Sequence, residues 1–575
     1  MKTNRENIQL TAAANGMVSG SVTLLDGRQI FLHSRFDPEE EARFLVEKIP
    51  VRQRTLHVVL GFGLGYHVKE LLSRMASNSC LLVIEPVTEQ FSRQMFEYHR
   101  HKGETWIKDP RLMFHSHYDP ETVPMFLADA FVRRRALSLN IFTHIPSAAT
   151  NEAFYRWVLK EIQEKFPVYL EGHLGANDRI LENNLSNFWA NLPVTWQTPH
   201  VSYLTGRWHR KPAIIIASGP SLTNELEQLR RAQSMALLIS VGSAARVLLN
   251  NGIQPHFIVS VDPFKLNMKH FIGLDTEKIS LIYYHRLWRG VLSDFRGPRF
   301  WFIMNDEPPI PLAGIPKSTE FWRGGTVAFS ALQFAHYLKA DPIIFVGLDL
   351  ALHNGNTHAQ GVAHGRHIDA ETLPEGYFRI PGVSDNQVVT NQAYYSYLLY
   401  IQDYVQRHAS VRHINTSLTG AKIHGTREMP LERALNMFCS GQSVDAEQLV
   451  RDGFKRFKPV SWHRVLKAVD RWQRELNMFI DSMKGESRLG RLIQEFRNTS
   501  VYKQISHSYD DCFFTWEVKK IRKKCASERA LCERLKAHCR FVLQQLQVIS
   551  EEVGRKADPQ MHHGKVIHED GVYSK

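Results

Sequence analysis

Short apolar runs, each followed at once by glycine, serine or aspartate, recur through the middle of this chain. The run Ala213–Ala217 leads into Ser-Gly-Pro-Ser, and the run His256–Val261 leads into Asp-Pro. Such short, largely apolar runs are typical of strands that are buried on both faces of a parallel sheet. Helical segments stand between them, so the pattern predicts a doubly wound α/β fold.

We predict seven strands and at least two helices in this central stretch. The helices are Val327–Leu338 and the segment 391–408. The predicted strands are Ala213–Ala217, Ala236–Ser240, His256–Val261, Ile279–Tyr284, Arg299–Met304, Pro342–Gly347 and Val411–Ile414.

The 575 residues are too many for one hydrophobic core, so several domains are expected. Residues 1–55 alternate like short strands with turns. Residues 56–205 predict a Rossmann-like domain followed by a helical connector. Residues 206–430 form the predicted doubly wound domain, and residues 431–575 predict an all-helical C-terminal domain with a loose tail.

A net charge of +13 favours acidic ligands or partners without choosing among them. No secretory signal and no membrane-spanning segment is expected, and six cysteines do not predict a disulfide framework, so the cytoplasm is the expected location. Cys525, Cys532 and Cys539 are spaced seven residues apart. This spacing favours a packed helical seam over a metal site, because it separates the thiols too far for one ion.

Polar residues end several predicted strands of the central domain, where a parallel sheet collects its ligands. Ser221 is predicted to cap a helix whose first amides would attract an anion. Two such helix starts and two carboxylates suit a nucleotide with a phosphate bond to be broken. The residues expected to converge are Ser218, Gly219, Pro220, Ser221, Gly242, Ser243, Asp262, Gly324, Gly325, Thr326 and Asp349.

A second glycine-rich turn follows the predicted strand that ends near Leu60. Gly61, Gly63 and Gly65 predict either a tight strand-to-helix turn or a site for a phosphate or cosubstrate. Glu85 ends the next predicted strand and could accept hydrogen bonds from a ribose. Methyltransferases that use S-adenosylmethionine have a similar layout.

Several motifs resemble the motility-associated factor family of bacterial flagellin glycosyltransferases. They are "ASGPSL", "GIQPHFIVSVDP", "GGTVAFSALQFAHYLKADPIIFVGLDLALHNGNTHAQG" and "INTSLTGAKIHGT", with "VVLGFGLGYHVKELL" nearer the N-terminus. The central domain also resembles bacterial sialyltransferases. The resemblance implies transfer of a nonulosonic acid, such as pseudaminic or legionaminic acid, from its CMP form to Ser or Thr of flagellin.

The resemblance also implies roles for individual residues. Gly219 to Ser221 would cradle the CMP phosphate, and Gly324 to Thr326 would form a second nucleotide contact. Asp349 and His358 are alternative candidates for the base that deprotonates the acceptor hydroxyl. Leu348 and Leu352 depart from the residue types common in the family, which bears on the sugar contacts. No cofactor or metal is implied beyond the CMP-activated donor.

Two other functions stay open on the sequence. The central domain resembles archaeal-type hydroxymethylpterin diphosphokinases, although the chain is much longer than such a kinase. A flagellin-binding chaperone with a nucleotide crevice is the non-enzymatic alternative. A basic stretch near the C-terminus predicts either a solvated face or a docking surface for acidic flagellin rather than for nucleic acid. Its members are Lys519, Lys520, Arg522, Lys523, Lys524, Arg529, Arg534, Lys536 and Arg540.

Overall fold

A computed structural model describes most of the chain. The described residues are 8–24, 26–85, 104–115, 123–304, 307, 309–314, 321–322, 324–369, 372–374, 376–384, 387–441, 443–483, 489–499, 501–502 and 528–557. These residues fall into two compact units that divide the chain after Asp178.

The first unit contains a small antiparallel sheet and a parallel sheet. The antiparallel sheet has the order β1-β2-β3, and the parallel sheet has the order β6-β5-β4-β7. The strands are β1 (Ile8–Ala12), β2 (Val18–Thr23), β3 (Gln29–Phe31), β4 (Thr55–Leu60), β5 (Cys80–Ile84), β6 (Leu112–His115) and β7 (Ser138–Thr143). The prediction of short N-terminal strands followed by a Rossmann-like unit is confirmed.

Helices flank this parallel sheet. The helix after Gly65 and the connector helix were predicted, whereas Pro38–Glu47, Val123–Arg133 and Ile145–Thr150 were not. The helix Pro38–Glu47 begins at Asp37, whose side chain accepts hydrogen bonds from the amides of Glu39 and Glu40. The last helix of the segment extends into the second unit and forms the predicted helical connector. The helices are Pro38–Glu47, Tyr66–Arg74, Val123–Arg133, Ile145–Thr150 and Glu152–Thr195.

The second unit is built on an eight-stranded parallel sheet with the order β12-β11-β10-β9-β8-β13-β16-β17. A separate antiparallel hairpin pairs β14 with β15. The strands are β8 (Ala213–Ile216), β9 (Leu237–Val241), β10 (Phe257–Ser260), β11 (Ser280–Tyr284), β12 (Arg299–Phe302), β13 (Ile343–Val346), β14 (Tyr377–Pro381), β15 (Gln387–Asn391), β16 (His413–Asn415) and β17 (Arg427–Glu428).

All seven predicted central strands are present within about two residues of their predicted ends, and β8, β9, β10, β11 and β13 are buried throughout. The hairpin β14–β15 and the short β17 were not predicted. The helices of this unit are Leu226–Ala232, Gly242–Asn250, Arg289–Asp294, Val327–Tyr337, Gln392–Arg407, Leu431–Phe438, Ala446–Arg456, Trp462–Ser482, Leu489–Arg497 and Glu528–Ala557. The predicted doubly wound domain and helical C-terminal region are thus confirmed.

The predicted cysteine seam is also found on the helix Glu528–Ala557. Cys532, Cys539, Leu546 and Val553 are all buried at seven-residue intervals. Cys525 lies outside the described residues, as do Lys519, Lys520, Arg522, Lys523 and Lys524 of the basic stretch. Within the part of the chain that the structure describes, no helix is both long and apolar enough to cross a membrane.

Candidate functional site

The order of the strands locates the place where a ligand would bind in the second unit. From β8 the chain runs outward through β9, β10 and β11 to β12, and it then returns to the other side of β8 as β13. Neighbouring connections therefore leave in opposite directions between β8 and β13, which opens a crevice at the carboxyl ends of these strands. Ser218 follows β8 and Asp349 follows β13, so both lie at this crevice.

Asp349 reaches from the end of β13 to the turn that follows β8. Its Oδ2 accepts hydrogen bonds from the Ser221 amide at 3.2 Å and from the Ser221 hydroxyl at 2.9 Å. Ser221 lies inside a short 3-10 helix, Pro220–Asn224. The prediction that its side chain caps a helix is therefore wrong. The amide that was expected to face an outside anion instead faces a carboxylate of the protein.

Gly219 is required by the closeness of this contact. A Cβ atom at Gly219 would lie 2.1 Å from Oδ2 of Asp349 and 2.5 Å from the carbonyl oxygen of Gly347. The Gly219 amide donates to that same Gly347 carbonyl at 2.7 Å. Two backbone segments and a carboxylate approach each other closely at this position, and any side chain larger than that of glycine would collide with them.

Asp349 is almost fully enclosed, and this changes its titration. Burial raises the pKa of Asp349 to about 6, although the two hydrogen bonds from Ser221 act in the opposite direction. Its Oδ1 atom is buried and has no hydrogen-bond partner. The carboxyl group is therefore a buried acid that exchanges its proton close to neutral pH.

The loop after β13 folds back onto the turn after β8. The Ala359 amide donates to the Ser218 carbonyl at 3.0 Å, and Tyr394 donates from its hydroxyl to the Thr357 carbonyl at 3.3 Å. The Thr357 hydroxyl donates to the Arg366 carbonyl and accepts a hydrogen bond from the Arg366 amide. These contacts fix the segment that carries the predicted base His358.

The hydrogen bonds of His358 define which of its nitrogens can take a proton. The Thr357 hydroxyl already donates to the Arg366 carbonyl, so His358 Nδ1, at 2.9 Å from that hydroxyl oxygen, must be the donor. His358 Nε2 then carries the lone pair. It lies 3.1 Å from Nε2 of His364, which must donate to it.

Two further histidines lie near His358, and the carboxylate of Asp262 lies near one of them, His364. Burial lowers the pKa of His358 to about 4, and the neighbouring His364 and His270 act in the same direction. The pKa of Asp262 is raised by burial, while the Phe264 amide and His364 partly offset this rise. Several imidazoles that are neutral at pH 7 therefore lie together at the rim, where a bound anion would favour their protonation.

The remaining predicted residues lie at the same edge. Ser243 lies in the first turn of the helix Gly242–Asn250, directly after β9, and donates to the Ser218 hydroxyl at 2.8 Å, while Gly242 packs close to Phe271. The helix Val327–Tyr337 packs across β8, β9 and β10. Backbone hydrogen bonds from residues 206–210 hold its last turn at the amino edge of the sheet, so its first turn reaches the carboxyl edge.

Gly324, Gly325 and Thr326 precede this helix directly. Gly325 has a φ of 72°, and a Cβ atom at Gly324 would lie 1.9 Å from the Phe329 ring. Thr326 occupies the N-cap position with extended backbone but makes no side-chain cap hydrogen bond. The local geometry requires both glycines, and the direction of the helix brings the three residues to the crevice side.

The glycine turn of the first unit is tightly packed against its own surroundings. Gly61, Gly63 and Gly65 have φ values of 99°, 52° and 85°, in the region that favours glycine. Both oxygens of Glu85 are occupied within the protein, by the Phe62 amide at 2.5 Å and the Tyr155 hydroxyl at 3.1 Å. A ribose would have to share or replace these contacts.

Three residues at the central site were not anticipated from the sequence. Ser417, after β16, accepts a hydrogen bond from the Leu348 amide at 2.9 Å and lies 3.2 Å from the Ser221 hydroxyl. His364 and Tyr394 bind the loop of His358. Ser417 follows a predicted strand and was therefore detectable by the rule that found Asp262. His364 and Tyr394 carry no comparable positional signal.

Comparisons with known proteins agree with this part of the fold. The profile of the family described as "6-hydroxymethylpterin diphosphokinase MptE-like" matches residues 186–355, less than half of the chain. The matched range contains β8 to β13 and Asp349, and it ends before His358.

Two individual proteins are similar over longer ranges. An uncharacterized protein of Treponema pallidum (strain Nichols) is 22% identical over 386 residues, which cover 62% of this chain and 64% of that protein. The chain therefore spans less than two thirds of that relative's length. A solved structure of a MAf glycosyltransferase from Magnetospirillum magneticum AMB-1 matches 96% of this chain and 92% of its own, with 16% identity and a TM-score of 0.40.

Proposed function

We propose that this protein is a glycosyltransferase that moves a nonulosonic acid, of the pseudaminic or legionaminic type, from its CMP-linked form to Ser or Thr hydroxyls of flagellin. In this role it would support flagellum assembly and motility. The observation that carries the proposal is the crevice between β8 and β13, where the Ser221–Asp349 contact and the His358 loop meet. The family motifs in the sequence give the donor and acceptor classes.

The charge at the rim suits this donor. A CMP-linked nonulosonic acid carries a phosphodiester and a sugar carboxylate, so it presents two negative charges close together. His270, His358 and His364 are neutral at pH 7 without a ligand, because burial lowers the pKa of each. Repulsion from His364 adds to this effect at His270 and His358, and repulsion from Arg366 adds to it at His364. An anionic donor would reverse this repulsion and favour their protonated forms.

The turns around the crevice would stabilise the departing phosphate. The bond from the anomeric carbon to the phosphate oxygen breaks, and its electron pair leaves with CMP while positive charge develops on the sugar. Because the Ser221 amide is held by Asp349 and the Ser243 hydroxyl donates to Ser218, the donors left for the phosphate are the Ser218 hydroxyl and the first amides of the helices Gly242–Asn250 and Val327–Tyr337. Asp349 then positions the turn and does not contact the acceptor.

His358 is the better candidate for the base. The acceptor oxygen bonds to the anomeric carbon while its proton passes to Nε2 of His358, the nitrogen that carries the lone pair. The hydrogen bond from His364 to that nitrogen would first have to break. Asp349 is less suited, because it is 1% exposed and its Oδ2 is occupied by Ser221.

A second candidate function is favoured by one observation, the match to the diphosphokinase-like family. Such an enzyme would transfer a diphosphate from ATP to the hydroxymethyl group of a pterin and release AMP. The same crevice would then hold ATP with Mg²⁺. The two candidates differ in nucleotide, in metal and in acceptor, so one set of assays separates them.

The test is the intact mass of flagellin co-expressed with the full chain and a CMP-nonulosonate pathway. The proposal predicts mass increments of whole nonulosonate residues with the wild type and with Ser293→Ala, a surface control. It predicts none with His358→Asn. AMP formation from ATP and a hydroxymethylpterin, with unmodified flagellin, would replace the proposal with the diphosphokinase. Flagellin capture without any mass change would support the chaperone.

A further inference from the structure

Three buried histidines from distant parts of the sequence meet behind the glycine turn of the first unit. His33 follows β3, His67 lies in the first turn of the helix Tyr66–Arg74, and His144 follows β7. They are 2%, 1% and 0% exposed. One ring nitrogen from each lies within 4.8 Å of one from each of the others. The proposed glycosyl transfer uses none of them.

The outward nitrogen of each ring is already oriented by a neighbour. His33 Nδ1 lies 3.3 Å from Glu41 Oε2, His67 Nε2 lies 3.0 Å from the Gly61 carbonyl, and His144 Nδ1 lies 2.7 Å from the Ser147 hydroxyl. Carboxylates and backbone carbonyls in this position are typical of histidines that bind a metal through their other nitrogen.

The second ring nitrogen of His67 has no such neighbour. His67 Nδ1 is buried without any hydrogen-bond partner, which is costly for a polar atom. Because Nε2 donates to the Gly61 carbonyl, the neutral His67 ring carries its lone pair on Nδ1. An ion that accepted this lone pair would remove the cost.

We propose that His33, His67 and His144 form a binding site for a divalent transition metal of the Zn²⁺ type. Imidazole nitrogens suit Zn²⁺, and three of them are a known ligand set for this ion. The ligand atoms would be His33 Nε2, His67 Nδ1 and His144 Nε2. The proposal does not depend on the proposed glycosyl transfer.

Binding would require two local changes. The His67 and His144 rings are stacked with centroids 4.1 Å apart, so they must rotate about their terminal torsions, which have broad preferences, before both lone pairs reach one ion. The Leu64 amide donates to His33 Nε2 at 2.9 Å and must give up this hydrogen bond. Metal binding is therefore coupled to the glycine turn Gly61–Gly65.

The experiment is a titration of the chelator-stripped full-length protein with Co²⁺, followed by visible absorption and by calorimetry. We expect one equivalent to bind with ligand-field bands of a tetrahedral site, and Zn²⁺ to displace it. Glu41→Gln should weaken the affinity about 10- to 100-fold, because this carboxylate orients a ligand, and His67→Ala should weaken it further. His57 is a buried histidine of strand β4 that does not belong to the cluster, so the variant His57→Gln should bind Co²⁺ like the wild type.

Hydrogen exchange gives a second readout that does not need the variants to fold. Zn²⁺ should speed exchange of the Leu64 amide, since that amide loses its acceptor. The proposal is overturned if the wild type shows no stoichiometric Co²⁺ spectrum, or if a folded His67→Ala variant binds Co²⁺ as tightly as the wild type.

Discussion

Ser221 and Asp349, 128 residues apart in the chain, are joined by two hydrogen bonds to one carboxylate oxygen. The contact links the turn after β8 to the end of β13, the two segments between which the crevice lies. The contact also explains the glycine at 219 and the loss of the Ser221 amide as a donor for a ligand, and it partly offsets the rise that burial causes in the pKa of Asp349.

Asp349 should make the stability of the second unit depend on pH. Its pKa rises from 3.8 in the unfolded chain to about 6 in the fold, so the unfolded state releases its proton first. The contribution of this group to the free energy of unfolding is therefore highest below pH 3.8 and falls as the pH rises to 6. Between pH 5 and 7.5 the loss is roughly 1 kcal/mol.

Asp349→Asn removes this titration. We expect the difference in the midpoint of thermal unfolding, variant minus wild type, to be larger at pH 7.5 than at pH 5. Calorimetric scans of both proteins at the two pH values measure the difference. A difference of the opposite sign would show that the carboxylate is stabilised in its charged form.

Gly219→Ala should disrupt the crevice, because its Cβ atom would collide with Asp349 and with the Gly347 carbonyl. We expect a loss of about 1–3 kcal/mol in unfolding free energy and a large loss of CMP binding. The matched control is Gly554→Ala, whose Cβ atom meets nothing within 4 Å in a helix. It should be neutral or stabilising by up to about 1 kcal/mol. Equal effects of the two variants would refute the packing argument.

His358→Asn should lower the transfer rate by about 10²–10⁴-fold. Asparagine can still donate to Thr357 from the position of Nδ1 but has no counterpart of Nε2. CMP binding, measured by calorimetry, should change far less than the rate. His364→Ala should leave the base in place and, by removing a neighbour that lowers its pKa, shift the acidic limb of the rate profile to higher pH. An unchanged rate in His358→Asn would show that a group other than His358 is the base.

Cys539 should be unreactive in the folded protein. Burial raises the pKa of its thiol to about 12, so almost no thiolate exists at pH 8. Mass spectrometry after brief treatment with iodoacetamide should find Cys539 unmodified under native conditions and modified in urea. Rapid native modification would contradict the packed helical seam.

Four central strands, β8, β9, β10 and β13, could be predicted from the sequence most directly because each is a continuous buried run followed closely by glycine, serine or aspartate. The hairpin β14–β15 could not, since its strands are partly exposed and Pro381 ends one of them. The helix Pro38–Glu47 was missed even though Asp37 followed by proline is a start signal.

The edge of the sheet at which the candidate residues lie could be predicted, but the contacts between them could not. The rule that parallel strands collect ligands at their carboxyl ends identified Ser218, Asp262 and Asp349 as neighbours of one edge. The Ser221–Asp349 pair depends on how two loops pack, which no local pattern records. The same holds for His33, His67 and His144, which three separate elements bring together.

The central claim is that a cytidylate binds at the carboxyl edge between β8 and β13, and the most direct test is a crystal structure of the full chain with CMP. The account predicts the CMP phosphate within hydrogen-bonding distance of the turn at 218–221 or of the helix starts at 242–243 and 324–326, with the His358 loop beside it. A nucleotide bound elsewhere, with this crevice empty, would contradict it.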